Sequence, residues 1–328
     1  MTGNPGVTVI MGVYNGEEFL EESVESILRQ SYPNFEFIIV DDGSTDKTDA
    51  LLRQYADQRV RIISQERQGL TKTLIKAAKE ARGTFIARQD ADDVSAPDRL
   101  EKQVSCLECD AGNGLVGTWA SIIDYDGTKI GECHYETDAL NMHKQLMLCN
   151  QFVHGSLMFR ASAYENIGGY REEFKYAQDY DLALRIAEKW KLGNLDEELY
   201  GHRLRKNMVS LANNLEQSRY RDLARQLAVA RKFGGLDDIE KGESVSCLLR
   251  KIPGETSSRS YLHSYDARYT HLCLRSGQLR KARTTLADQL RQNPFNAKLY
   301  LQFGLTYLGP ARAGRAIEFL DWLRKKRV

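Results

Sequence analysis

The sequence predicts an α/β protein: a doubly wound, mostly parallel sheet flanked by helices, followed by an all-helical C-terminal region. Three observations predict it. Between Val7 and Ala87, apolar β-rich runs alternate with helix-period segments, giving four strands and three helices. One of those runs, Phe35 to Val40 (FEFIIV), is almost continuously apolar, the pattern of a strand buried on both faces of a parallel sheet. Beyond about Asn207 such runs disappear and helical patterns take over.

Taken in order, Val7 to Tyr14 (VTVIMGVY) is the first β-rich run. Asn15-Gly16 breaks it, and Phe19, Leu20, Val24, Ile27 and Leu28 then share one face of a helix. Tyr32-Pro33 stops that helix. Phe35 to Val40 follows and ends in Asp41-Asp42-Gly43-Ser44, which completes a βαβ unit. The alternation continues with a helix near Thr45 to Ala56, a strand at Val60 to Ser64, a helix at Gly69 to Ala81 with Leu70, Leu74, Ala77 and Ala81 in register, and a strand at Thr84 to Ala87. A helix from Pro97 leads to the apolar run Gly114 to Ile123 and to a hairpin-type turn at Asp126-Gly127. His154-Gly155-Ser156 precedes a further apolar strand, Leu157 to Phe159. Tyr176-Ala177-Gln178-Asp179-Tyr180-Asp181 opens a helix whose later residues Leu182, Leu184, Ile186 and Ala187 are apolar.

With 328 residues, 42% of them hydrophobic and 28% charged, the chain is long enough for one large domain and a smaller one. Its formal charge of +1 gives no bulk attraction for nucleic acid or for an acidic partner. The six cysteines lack framework spacing, which fits a reducing cytosol. Cys106 and Cys109 form a CxxC, but inside the helical pattern of Leu100, Val104 and Leu107 and with no second pair to complete a zinc site. No run approaches the roughly 18 apolar residues of a membrane span, and no basic leader opens the chain. The expectation is a cytoplasmic protein.

In doubly wound sheets ligands bind beyond the carboxyl ends of the strands. Three polar clusters fall there: Tyr14-Asn15-Gly16-Glu17, Asp41-Asp42, and Arg88-Gln89-Asp90-Ala91-Asp92-Asp93. The last places three carboxylates in four residues, which repel one another unless solvent, hydrogen bonds or a cation offsets the repulsion. Capping the next helix takes only one oxygen, so the stretch reads as a metal or ligand site. GxGxxG is missing after the first strand and GxxxxGK[ST] is missing throughout, which argues against a dinucleotide dehydrogenase and a P-loop enzyme. A divalent cation held by aspartates can grip phosphate instead, and hard oxygen ligands suit Mg2+ or Mn2+.

The opening VTVIMGVYNGEEFLEESVESILRQSYPNFEFIIVDDGSTDKT, the later ARGTFIARQDADD and GGYREEFKYAQDYDLALRIAE resemble the family 2 glycosyltransferases, inverting enzymes of the GT-A fold. The likeness covers roughly residues 5 to 205. It implies a catalytic domain over 1–206 and a helical region over 207–328. It also implies that Tyr14 and Asp41 hold the base of a nucleotide, by stacking and by hydrogen bonding, with Glu17 beside them. For Tyr14 the alternative is an amphipathic residue at a strand end, and for Asp42 a helix cap. Arg67 and Arg88 are candidates for the nucleotide or its phosphates, with surface charge as the alternative. The resemblance places Asp90 near the ribose and Asp90 and Asp92 at the cation, while Asp93 assists or caps. His154 and Gly155 fall where family members place the donor sugar; His154 as a satisfied histidine in the sheet is the other reading. Asp179 is the implied general base, with Asp181 assigned to capping or acceptor positioning.

Two departures stand out. Gln178 replaces the Glu that commonly precedes the base, which removes a like charge beside Asp179. Arg205 stands where many members have a histidine that could ligate the cation. An arginine cannot bind a metal, so Arg205 would stabilise the departing diphosphate directly. On an alternating strand His202 would face away from Arg205.

In the helical region, Ser218 to Phe233 is basic and amphipathic, and a polar link runs from Gly242 to Ser260. From Tyr261 a partial repeat of about 34 residues is visible: Ala282, Leu286 and Pro294 suit one tetratricopeptide-like unit, and Tyr300, Phe303, Gly304, Tyr307, Ala316 and Leu320 the next. It reads as a helical cap on the catalytic domain or as a surface for a partner or for self-association. The end, Trp322-Leu323-Arg324-Lys325-Lys326-Arg327, suits contact with an anionic membrane, and equally complements its own helix dipole. Together these features predict transfer of a sugar from a nucleotide donor, a UDP-sugar, to a hydroxyl of a glycan or lipid-linked glycan. The alternative is a catalytically silent nucleotide-sugar-binding or scaffolding protein. A nucleotidyltransferase is disfavoured by the missing glycine-rich phosphate loop.

Overall fold

The computed structural model describes residues 4–205, 214–252 and 265–325. The first half of the sheet is β1 (Val7–Val13), β2 (Phe35–Asp41), β3 (Val60–Ser64) and β4 (Phe85–Arg88), joined through α1 (Leu20–Leu28), α2 (Thr48–Leu52) and α3 (Leu70–Lys79). These strands are parallel in the order β3-β2-β1-β4, with Val7 opposite Phe35 on one side and Phe85 on the other. The chain steps outward from β1 to β3 and then returns to the far side of β1. That reversal opens a crevice at the carboxyl ends of β1 and β4.

Burial explains why these runs are strands. Ile10, Ile38, Val40 and Ile86 pack with Leu74 and Ala77 of α3 on one face. Their neighbours Val7, Val9, Met11, Phe37 and Ile39 pack on the other, with Leu20, Val24 and Ile27 of α1. Side chains alternate between faces, so a strand covered on both sides must be apolar at nearly every position.

The second half is antiparallel. It adds β5 (Val94–Ser95), α4 (Arg99–Cys109), β6 (Asn113–Ile123), β7 (Lys129–Cys133), α5 (Ala139–Leu148), β8 (Met158–Arg160), α6 (Ala161–Asn166), α7 (Gln178–Ala187) and β9 (Lys191–Arg203). β8 runs antiparallel to β4 and to β6, and β5 antiparallel to β9. The result is a mixed sheet of nine strands. Both cysteines of the CxxC lie on or at the end of α4, and all six cysteines are free.

The described residues of 1–120, 133–202 and 215–254 form one compact unit, and those of 121–132, 203–214 and 255–328 a second. The helices α8 (Asn214–Gly234) and α9 (Val245–Lys251) belong to the first: Tyr220, Leu223, Leu227, Val245 and Leu248 join the core cluster around Leu182 and Ile186 of α7. The expected boundary at 206/207 and the expected start of the repeat at 261 fall outside the described residues.

The second unit contains α10 (Tyr265–Arg275), α11 (Leu279–Gln292), α12 (Ala297–Leu305) and α13 (Pro310–Lys325). α10 packs on α11 and α13, and α12 packs on the same two. Ala282 and Leu286 are buried, whereas Tyr300 and Tyr307 are exposed. The turn after β6 is pinned within this unit. The Asp124 carboxylate accepts the backbone N–H groups of Asp126 and Thr128 at 3.1 and 3.0 Å and pairs with the Lys281 ammonium, which also donates to Asp126 and Thr128 at 3.1 Å. Gly127, at φ 78°, makes the turn possible. The side chains of the basic end from Leu323 onward lie outside the description. Among the described residues no helix is long and apolar enough to cross a membrane.

Candidate active site

The loops after β1, β2 and β4 are tied together before any ligand is considered. Asn15 takes φ 50°, a conformation that asparagine tolerates, and its side-chain oxygen accepts the Thr45 N–H at 2.8 Å. Glu17 accepts the Lys47 N–H at 3.0 Å while its own N–H goes to Asp46 at 3.1 Å. Glu17 is therefore placed as a brace between two loops. Asp42 accepts from Gln65 at 2.7 Å and from the N–H groups of Gln68 and Gly69 at 2.8 Å, so it caps α3 rather than the nearer α2. Asp41 is buried and accepts the Ser44 N–H at 3.1 Å and the Ser44 hydroxyl at 2.5 Å.

Tyr14 directly follows β1 and is exposed, and the Arg67 guanidinium lies 3.8 Å from its ring centre. The structure thus brings these two expected nucleotide residues together. Arg88 is different: it is fully buried and donates to Asp90 Oδ1 at 2.6 Å, to the Gln89 carbonyl and, at 3.4 Å, to the Ile10 carbonyl. The surface-charge reading of Arg88 is excluded by that burial. Its task here is to hold Asp90.

The acidic loop is held from beneath. Gln89, fully buried, donates to Ser23 at 3.0 Å and to the Asp93 carbonyl at 2.9 Å, and accepts from Ser95 at 2.7 Å. The Arg99 guanidinium donates to the carbonyls of Arg88 and Gly155 at 3.0 and 3.2 Å. The Asp90 N–H donates to the Tyr200 hydroxyl at 3.1 Å. A Cβ on Gly155 would stand 1.8 Å from that hydroxyl and 2.8 Å from Asp90 Oδ2, so only glycine fits against the carboxylate. Burial pushes the Asp90 carboxyl up, but Arg88, His154 and His202 outweigh it and hold it below its ordinary value.

His154 begins a short 3-10 turn, and its Nε2 lies 3.1 Å from the hydroxyl of the buried Tyr170. Burial first, and Arg88 second, lower its pKa, against the opposing pull of Asp179 and Asp90. Both carboxylates thus act on the same imidazole. Asp179 stands in the first turn of α7, partly buried, and its Oδ2 accepts from the Asn150 amide at 2.7 Å. The preceding Ala177 is left-handed at φ 52°, an uncommon conformation for alanine that costs roughly 1–2 kcal/mol.

Asp181 departs from expectation. It is fully buried and paired with Arg185 at 2.6 and 2.9 Å, with Arg171 3.6 Å away. An i, i+4 partner on the same helix draws it inward, so it is a core ion pair and not an acceptor contact.

His202, which sequence reasoning set on the strand face opposite Arg205, has its Nδ1 3.2 Å from Oδ2 of the buried Asp93. Burial lowers its pKa, but Asp93, the hydrogen bond between them, Asp92 and Asp90 together raise it. Only the pairing of β5 with β9 brings these two residues together, and a two-residue strand leaves no periodicity to read. Asn150 and Tyr170 were missed because they lie outside the strands and helices and their partners Asp179 and His154 are 29 and 16 residues away. Arg205 lies just beyond β9, in a segment that clusters with the second unit.

The acidic loop and the nearby histidine are residue types that could supply some of the ligands of a divalent cation. Carboxylates and an imidazole are acceptable ligands for Mn2+ or Mg2+. Among the described residues of the first unit no three acidic or histidine ligand atoms lie within 4.8 Å of one another. Such a site takes its remaining ligands from phosphate oxygens and water, as Mg2+ sites commonly do.

The family model of glycosyl transferase family 2 matches residues 8–168. EpsE of Bacillus subtilis (strain 168), a glycosyltransferase by name, is 41% identical over 207 residues, covering 61% of this chain and 73% of its own. The O-antigen biosynthesis glycosyltransferase WbnJ of Escherichia coli is 35% identical over 205 residues, covering 60% and 79%. Among solved structures, the mannosyltransferase PcManGT of Pyrobaculum calidifontis, in complex with GDP-Man and Mn2+, superposes with a TM-score of 0.54 at 20% identity over 98% of this chain and 88% of its own. S. aureus TarS 1-349, in complex with UDP-GlcNAc, superposes with a TM-score of 0.55 at 16% identity over 95% and 91%. At such identities the superpositions speak for the fold alone.

Proposed function

This chain belongs to glycosyl transferase family 2 and is a glycosyltransferase, and from that premise we propose that it moves a sugar from a UDP-sugar to a hydroxyl of a growing polysaccharide or lipid-linked glycan, with inversion. The observation that carries the reading is the close packing of the His154-Gly155 turn on the acidic loop, where a Cβ on Gly155 would stand 2.8 Å from Asp90 Oδ2.

In this reading Tyr14 and Arg67 take the base, Asp41 its N–H, and Asp90 the ribose. Asp92 holds the divalent cation, Mn2+ or Mg2+, which when bound neutralises charge on the diphosphate. Arg205 adds a fixed positive charge to the same phosphates. His154 and Gly155 line the donor sugar. Asp179, held by Asn150, takes the proton of the acceptor hydroxyl as its oxygen bonds to the anomeric carbon, and the bond from that carbon to the diphosphate oxygen breaks on the opposite face. The electron pair leaves with the nucleoside diphosphate, and no covalent intermediate is needed. An acceptor on a lipid carrier puts the enzyme at the cytoplasmic face of a membrane, and the basic stretch Arg324 to Arg327 supports that placement by charge.

The test is a panel of nucleotide sugars scored for hydrolysis and for thermal stabilisation, with Mn2+, with Mg2+ and in EDTA. A UDP-sugar should give the largest stabilisation, and only with a cation. No response to any nucleotide sugar with Mn2+ present would overturn the assignment of the donor.

A further inference from the structure

We propose that His202 supplies a nitrogen ligand, through Nε2, to the cation of the donor complex, and that Asp93 is the carboxylate that orients it. The inference rests on the proposed function for the presence of a cation. It assigns the ligand to a strand position that the sequence pattern passes over.

The argument begins with register. β5 and β9 pair antiparallel with Val94 opposite Gly201 and Ser95 opposite Tyr200. Continuing that ladder by one residue sets Asp93 opposite His202, and their side chains meet at 3.2 Å. Asp93 is 1% exposed and a carboxylate facing an imidazole nitrogen accepts from it, so Nδ1 of His202 is the donor. Nε2 is then the nitrogen left for a cation, which displaces any proton it carries. The His202 side chain is 25% exposed, so it is not sealed in the core. A metal-bound histidine nearly always donates its other nitrogen to a carboxylate or carbonyl, which fixes both tautomer and ring orientation.

The acidic loop also leaves room for such a ligand. Asp90 Oδ1 is engaged by the buried Arg88, so Asp90 is a poor candidate to share the cation with Asp92. Asp92 is the chain neighbour of Asp93, the residue that His202 contacts. One carboxylate oxygen and one imidazole nitrogen, with diphosphate oxygens and water, complete a coordination sphere without a third protein ligand.

Pulsed electron paramagnetic resonance of the full chain with Mn2+ and UDP reads the ligand directly, because a bound imidazole imposes nitrogen-14 modulation on the spin echo. The modulation should be present in the wild type, lost in His202→Gln and kept in His154→Gln. Labelling the wild-type chain with [15N]histidine should change its frequencies, an answer that needs no substitution. Asp93→Asn should weaken Mn2+ binding by roughly 10- to 100-fold. Bound Mn2+ without nitrogen modulation in the wild type, or modulation that survives in His202→Gln, would overturn the inference while leaving the proposed transfer intact. Donor binding and transfer unchanged in EDTA would instead remove the cation from the proposed function, and this ligand with it.

Discussion

The Arg67 guanidinium stacks 3.8 Å from the centre of the Tyr14 ring and donates to the Tyr14 hydroxyl at 3.1 Å. A flat, positively charged group thus already covers the aromatic face assigned to the base. The base must displace it or slide between the two. Stacking on an aromatic residue contributes about 1–3 kcal/mol per base. Tyr14→Ala should therefore weaken UDP binding by that amount in calorimetry, whereas Tyr14→Phe, which loses only the hydroxyl, should stay near wild type. Equal affinity in Tyr14→Ala would move the base elsewhere.

Asp179→Asn should lower sugar transfer by about 10²-fold or more, the usual scale of general-base catalysis, with donor affinity little changed. Asn150→Ala removes the amide that holds the carboxylate at 2.7 Å and should lower turnover by a smaller factor. Steady-state kinetics with whichever nucleotide sugar the donor panel selects would check both. Wild-type rates in Asp179→Asn would show that the base is misassigned.

Asp181→Asn belongs to a different category of effect. Arg185 is 4% exposed and Asp181 is fully buried, so neutralising one partner strands the other. Breaking a buried pair in this way costs about 3–5 kcal/mol. Denaturant unfolding should show that loss, while the fraction still folded keeps its turnover to within a few-fold. A variant as stable as wild type but inactive would return Asp181 to the acceptor site.

Acid should weaken the protein through Glu36. This carboxylate is 5% exposed and receives the Thr8 hydroxyl at 2.8 Å and both the backbone and side chain of Arg82. Burial raises its pKa, but the Arg82 and Thr8 hydrogen bonds outweigh burial and leave it below 4.5. The ionised form is thus favoured by folding. Its stabilisation is fully present above the unfolded pKa and is lost as pH falls through the lower, folded value. Glu36→Gln should flatten the stability profile below about pH 4.5. An unchanged profile would rule Glu36 out as a source of the acid sensitivity.

Much of the first half was legible because its strands are buried on both faces and its helices on one, patterns that periodicity records directly. α2 was expected over Thr45 to Ala56 and spans Thr48–Leu52. The N–H groups of Thr45, Lys47 and Thr48 are taken by Asn15, Glu17 and Asp46, which hold that loop out of the helix. Partners distant in sequence escaped notice for a related reason. Asp42 caps a helix 27 residues onward, and His202 reaches Asp93 across 109 residues. Asp181 and Arg185, at i, i+4, were the exception: that pair could have been read from spacing alone.

Asp124 and Lys281 are 157 residues apart. At a synthesis rate of about 5–20 residues per second, the turn that carries Asp124 leaves the ribosome roughly 8 to 30 s before its ammonium partner exists. Until then the carboxylate has its own turn amides and solvent, and no cation. The second unit therefore cannot close around this turn until α11 has been made, and a chain that stops short of α11 carries a turn shaped for a helix that never arrives.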